Sequence, residues 1–168
     1  HREPDGDCLA SQIVLKNMLV SLGKKAYALS PGPFVRPEVM TLEDDLDDPA
    51  PFLSGFGAAD DDKQGDTAVI VVDSSTSERL AGLEPLLEGK AAAVVDHHAA
   101  GIPFGDVRFV EKSAPSTTFL VLRIAKSSGY TLSRVDAELL LFGLCTDTGF
   151  FRHVGEDSGP VFYAVAEL

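Results

Sequence analysis

Tryptophan is absent, cysteine occurs twice, and no apolar run approaches the length of a bilayer. The longest such runs, AAAVV and LLLFGLC, fall far short of the ~20 residues that a membrane-spanning helix needs. Cys8 and Cys145 are too few for a disulfide framework. Neither sits in a CxxC pair, which excludes a zinc knuckle. No leader or Arg-rich transit pattern opens the sequence as given, so a cytoplasmic setting is expected. Positive charge is also scarce: 14 Lys and Arg stand against 26 Asp and Glu, a net charge of −12. Long nucleic acid is bound by cationic surfaces that displace counterions, and that class is excluded. A small phosphorylated substrate is not excluded, because bound metal ions supply positive charge locally.

What remains is an ordinary soluble composition, 45% hydrophobic and 24% charged, over 168 residues. One domain with a real core is expected. The stretch from Thr41 to Asp66 carries two acidic clusters, prolines and glycines, and reads as a solvated loop with a short amphipathic piece around Phe52 to Phe56. Its DDDKQGD run lacks EF-hand spacing. Ser11 to Leu22 has helical periodicity, with Gly23 to stop it. Lys25 to Ser30 reads as a strand. Ala68 to Asp73 and Ala91 to Asp96 are continuous apolar runs ending in an acid, the pattern of strands covered on both faces. Ser77 to Leu87, Ser116 to Ser127, Asp136 to Leu144 and Phe162 to Leu168 read as helices, the second with Ser116, Thr117 or Thr118 as its cap and Gly129 as its stop. Alternating strands and helices predict an α/β fold, a mostly parallel sheet with helices on both faces. Asp73 and Asp96 would then share the carboxyl rim, where ligands of such sheets collect.

The opening HREPDGD places His1, Asp5 and Asp7 close together. Pro4 and Gly6 suit a turn rather than a helix interior. The VVDHH stretch adds Asp96, His97 and His98 at a strand end, and Asp96 is placed to orient a ring nitrogen of His97. Asp147 lies in GLCTDTGFF. Singly, each is an unremarkable turn or cap residue. Together, His1, Asp5, Asp7, Asp73, His97 and Asp147 form a plausible metal-ligand set whose four carboxylates balance two divalent cations. Oxygen and imidazole donors without thiolate favour Mn²⁺, with Mg²⁺ or Co²⁺ as alternatives. Two such ions form a hydrolytic centre for phosphate esters. His98, beside a ligand but free of it, is placed to touch the phosphate or protonate a leaving oxygen.

In this order, HREPDGDCLAS, VVDSS, VVDHHAAG and GLCTDTGFFR resemble the four motifs of the DHH phosphoesterase family. The last looks most like the branch of oligoribonucleases that also act on adenosine 3′,5′-bisphosphate. The resemblance implies one ion on His1, Asp5 and Asp73, and a second on Asp7, Asp73, His97 and Asp147, with Asp73 bridging. It implies an orienting role for Asp96, a substrate-facing His98 and an Arg152 that reaches a phosphate. Short oligonucleotides or nucleotide phosphates are the implied substrates. An inorganic pyrophosphatase or a non-catalytic nucleotide sensor are the alternatives. Members of this family usually carry a second, substrate-gripping C-terminal domain, so the 168 residues are expected to be the catalytic part of a longer protein. Apolar helices near the C-terminus are compatible with a homodimer.

Overall fold

The computed structural model describes residues 1–54, 67–98, 100, 102–156 and 158–168. Helix α1, Gly6–Ser21, comes first, capped by the Asp5 carboxylate, which accepts from Cys8 N–H at 3.0 Å. A 3-10 stretch, Pro37–Asp45, and the single turn α2, Ala50–Leu53, follow. Strands β1, Ala68–Val72, β2, Ala91–Asp96, and β3, Val107–Val110, are next. The chain closes with α3, Thr117–Ser128, α4, Arg134–Asp147, and α5, Gly159–Glu167. Among the described residues the sheet has the order β1-β2-β3 and is parallel throughout. Val72 pairs with Val95 in register, and Asp96 with Val110, so the acid ends of β1 and β2 lie on one rim.

Alternation along the strands divides the core. Val72 and Val95 face the α-helical layer and pack with Ala10, Val14, Leu120, Leu140 and Leu144. Val71 and Val94 face the opposite way, onto Leu80, Leu83, Leu87 and Phe104. The fold is thus α/β, with α-helices over one face and short 3-10 turns over the other. Among the described residues, no helix is long and apolar enough to cross a membrane.

Several sequence expectations shift. Helix α1 begins at Gly6, five residues before the expected start. A Cβ on Gly6 would stand 2.7 Å from Phe142 Cε1 and Thr146 Oγ1, so the glycine serves a close approach of α1 to α4 rather than a turn. Lys25 to Ser30 forms no named strand: Leu29 makes one isolated bridge to Asp47, whose carboxylate takes the Ala28 N–H at 2.9 Å and Lys16 Nζ at 2.8 Å. Ser77 to Leu87 is two 3-10 turns, Ser77–Leu80 and Glu84–Leu87, because Ala81 and Gly82 adopt positive φ of 51° and 97° between them. The four-residue strand β3 went unrecognised in the sequence. Helix α4 extends to both sides of its expected span, opened by a Ser133–Asp136 capping box. Phe56 and the DDDKQGD run lie outside the described residues.

Gly143 repeats the lesson of Gly6 on the other helix. A Cβ there would collide with Thr118 Cγ2 and stand 3.1 Å from the Asp7 Cα, where α1, α3 and α4 meet. Gly143→Ala is expected to cost about 1–3 kcal/mol as an overpacked core position. Urea denaturation measures it; an unchanged midpoint would refute the tight junction.

Candidate metal centre

Four elements deliver the site. Asp7 lies in the first turn of α1 and is 1% exposed. Asp73 follows β1 at a φ of +55°, with its N–H held by the Val95 carbonyl at 2.9 Å. Asp96 ends β2, and His97 and His98 follow it. Asp147 is the last residue of α4.

His97 Nε2 is the meeting point. It lies 3.4 Å from Asp147 Oδ2, 3.7 Å from Asp73 Oδ1 and 3.9 Å from Asp7 Oδ2. It is buried and has no hydrogen-bond partner among the described residues. These separations are long for hydrogen bonds. Two donors each ~2.1 Å from one cation stand roughly 3.0–3.4 Å apart at ordinary coordination angles; Asp147 Oδ2 is at that spacing from His97 Nε2, and the Asp73 and Asp7 oxygens lie a few tenths of an ångström beyond it. The other oxygen of Asp73, Oδ2, meets His1 Nε2 at 3.0 Å. His1 Nδ1 is 2.8 Å from the Arg2 carbonyl. A carbonyl only accepts, so Nδ1 carries a proton and Nε2 is the nitrogen available to a ligand. Asp73 therefore faces His1 with Oδ2, and both His97 and His98 with Oδ1, which lies 3.5 Å from His98 Nδ1.

Among the described residues the donor atoms fall into three overlapping groups, each within 4.8 Å: Asp7, His97 and Asp147; Asp73, Asp96, His97 and His98; and His1, Cys8 and Asp73. Such groups can hold divalent cations, and the donor chemistry fits. Five of the six sequence-predicted ligands converge. The sixth, Asp5, belongs to none of the groups: its carboxylate caps α1 and stands 3.9 Å from an Arg36 nitrogen. In its place, the buried Cys8 thiol approaches His1, whose backbone nitrogen donates to Sγ at 3.5 Å.

Asp96 also behaves differently from expectation. It orients His98 rather than His97. Its Oδ1 accepts the His98 N–H and the His98 Nδ1–H, each at 2.9 Å, because the turn after β2 folds residue 98 back over the strand end. His98 is 41% exposed in its side chain and leaves Nε2 free of that contact. Arg152 is exposed, and the cavity beside the cluster is lined by Arg36 instead.

Sequence reading missed the support from α3. The Thr117 and Thr118 N–H groups both donate to the Asp7 carboxylate at 2.7 Å, and the Thr117 hydroxyl donates to Asp73 Oδ1 at 3.1 Å. Ser116 caps α3 as its sequence suggests, through the Phe119 N–H. The Ser-Thr-Thr run signalled a helix start. Which carboxylates would meet it depended on how the helices pack.

A model of the DHH family, N-terminal domain, matches residues 1–144. The bifunctional oligoribonuclease and PAP phosphatase NrnA of Thermus thermophilus is 31% identical over 169 aligned positions, covering all of this chain and 47% of the relative. The protein of the same name from Bacillus subtilis is 28% identical, covering 98% of this chain and 49% of the relative. The chain thus spans about half the length of these relatives. The solved structure of an exopolyphosphatase-related protein from Bacteroides fragilis superposes with a TM-score of 0.81 at 22% identity, over 99% of this chain and 49% of that one.

Crowded charge perturbs the site's titrations. For His1, burial opposes the imidazolium, but the bonds to Asp73 and Cys8 outweigh it and push the group up to about 11. Burial, aided by the Asp73 charge and opposed by the Thr118 N–H, raises the Asp7 carboxyl well above its usual range. Burial also raises Asp147, against the pull of His97. Burial would raise Asp96, yet its bonds from His98 hold it below the usual carboxylate range; the same contact raises His98. The sign for stability follows. A raised His1 stabilises the fold fully below its ordinary 6.5 and loses that contribution as pH climbs through about 11. A raised Asp7 favours the fold while protonated and loses that contribution as pH rises past the ordinary carboxylate range. In chelator, the melting temperature should therefore fall as pH is raised from about 6.5 towards about 11, read by calorimetry. A melting temperature that rises over that window would contradict the buried His1–Asp73 pair.

Proposed function

The chain belongs to the DHH family, and on that footing we propose that it hydrolyses the phosphoester bonds of short oligonucleotides and of nucleoside 3′,5′-bisphosphates with two divalent cations. One observation carries the reading: a buried, unpartnered His97 nitrogen among three carboxylates, one of which shares its second oxygen with His1. His97, Asp7, Asp147 and Asp73 would hold one ion. His1 and Asp73 would hold the other, joined by Asp5 if its carboxylate turns away from the α1 cap. The bridging role falls to Asp73. Oxygen and imidazole donors favour Mn²⁺, with Mg²⁺ or Co²⁺ as alternatives.

When bound, the ions neutralise the phosphoryl oxygens and make water acidic enough to supply a nucleophile near neutral pH. The remaining work falls to the chain. Thr117 and Thr118 hold Asp7 in one orientation, and the Thr117 hydroxyl does the same for Asp73. Asp96 fixes His98 by its Nδ1, and the partly exposed ring can then offer a proton from Nε2 to a leaving oxygen or a hydrogen bond to the phosphate. Arg152 would join only through a change of position from its exposed setting. The relatives are about twice as long as this chain, so their further half is where additional grip on substrate would be sought.

A Mn²⁺-dependent assay of the full-length protein tests the reading. Turnover of a dinucleotide and of adenosine 3′,5′-bisphosphate is expected. Pyrophosphate as sole substrate would replace it with a pyrophosphatase, and turnover of nothing would favour a sensor. Asp73→Ala should cause the largest loss of any single change, because Asp73 touches both ions; near-native turnover would remove its bridging role. His98→Ala should lower kcat by about 10²-fold. Metal content by atomic absorption should stay level in that variant, and parallel loss of bound metal would make His98 a ligand.

A further inference from the structure

Beside the cluster opens a cavity of about 350 Å³, a size typical of small-molecule sites. Asp147 forms part of its wall, so the cavity is continuous with the cluster. Two other lining residues have no part in holding a cation. Phe150 is 71% exposed. Arg36 is 49% exposed in its side chain, with its guanidinium 3.9 Å from Asp5, beyond hydrogen-bond reach.

The backbone that carries Phe150 is held in place. The backbone at Gly149, Phe150 and Phe151 runs through three positive φ values, 58°, 52° and 68°. For phenylalanine that region is unfavourable, and it persists only where surroundings impose it. Here they do. The Phe150 N–H is held by the Cys145 carbonyl at 2.7 Å, and the Phe151 N–H by Thr148 Oγ1 at 3.2 Å. The Phe151 ring packs on Phe162, with centroids 5.7 Å apart. The turn thus sends one aromatic ring into the core and presents its neighbour to the cavity. Arg36 precedes Pro37, which restricts its backbone to the extended conformation it adopts, φ −86° and ψ 123°.

We propose that Phe150 and Arg36 form a nucleotide subsite: Phe150 stacks on the base of the substrate and Arg36 binds the phosphate that is not being cleaved. An exposed, rigid aromatic face is what sequence-tolerant base stacking needs. A guanidinium is the cation suited to a phosphate. The subsite deepens the phosphoesterase reading and rests on it. It also explains how substrates bearing a base would be favoured over bare polyphosphate.

Intrinsic fluorescence separates the two. This chain has no tryptophan, so Phe150→Trp in the full-length protein places a reporter where the ring stands, read as the difference from the parent protein. Adenosine 3′,5′-bisphosphate should quench the added signal saturably, and pyrophosphate should not. Phe150→Ala should raise KM for a dinucleotide roughly 5- to 100-fold with little change in kcat, the loss of one stacked base. Phe150→Tyr should restore KM, and circular dichroism should match the parent for each variant. Arg36→Gln should weaken binding of the bisphosphate more than that of adenosine 5′-monophosphate. Absence of quenching together with an unchanged KM in Phe150→Ala would overturn the subsite, even if the enzyme is active on dinucleotides. Quenching of Phe150→Trp by the bisphosphate, in a protein whose parent does not cleave it, would keep the subsite and discard the phosphoesterase reading.

Discussion

Asp7, Asp73 and Asp147 are drawn to within 4 Å of a single histidine nitrogen, and their mutual repulsion is the constraint to which the surrounding structure responds. Burying even one unpaired carboxylate is costly, and burying neighbours without compensation is costlier. The fold answers with fixed donors. Two backbone N–H groups at the start of α3 clasp Asp7, a hydroxyl of the same turn reaches Asp73, and His1 takes the remaining Asp73 oxygen. What these donors leave uncompensated is the space around His97 Nε2. A divalent cation is the partner that could accept donor atoms from three carboxylates and an imidazole at once, offsetting most of their charge.

That arrangement depends on backbone proximity more than on the ligands themselves. Helix α1 approaches α4 closely at Gly6, and the junction of α1, α3 and α4 closes over Gly143. These two positions lack side chains, so the carboxylates at the neighbouring residues 7 and 147 can meet. The left-handed Asp73 completes the geometry by turning its carboxylate from the end of β1 towards the helices. Rigid elements thus set the separations of these donor groups, while His98 is more exposed and Phe150 lines the adjoining cavity.

Much of this was legible beforehand. The two continuous apolar runs ending in acids marked β1 and β2, since a strand covered on both faces must be apolar on both. The Ser-Thr-Thr run and Gly129 marked the two ends of α3, through a side-chain cap and a positive-φ stop. The ligand types were visible as short clusters of His and Asp, and five of six gather as their order suggested. The failures were equally specific. Gly6 read as a turn because a glycine's conformational freedom is local, whereas its use here is a contact with a residue 136 positions later. Lys25 to Ser30 had strand composition, yet the Asp47 side chain took the hydrogen bond a neighbouring strand would have offered.

The sequence by itself determined the chemistry on offer: imidazole and carboxylate donors, a net charge of −12, and apolar strands that end in acids. Residue types and periodicity are local properties, so they survive reading in one dimension. Only the tertiary structure decided that Asp96 serves His98 rather than His97, that Asp5 caps a helix, that α3 supports Asp7, and that Arg36 rather than Arg152 lines the cavity. Each is a matter of direction and distance between segments far apart in the chain, and those are set by packing.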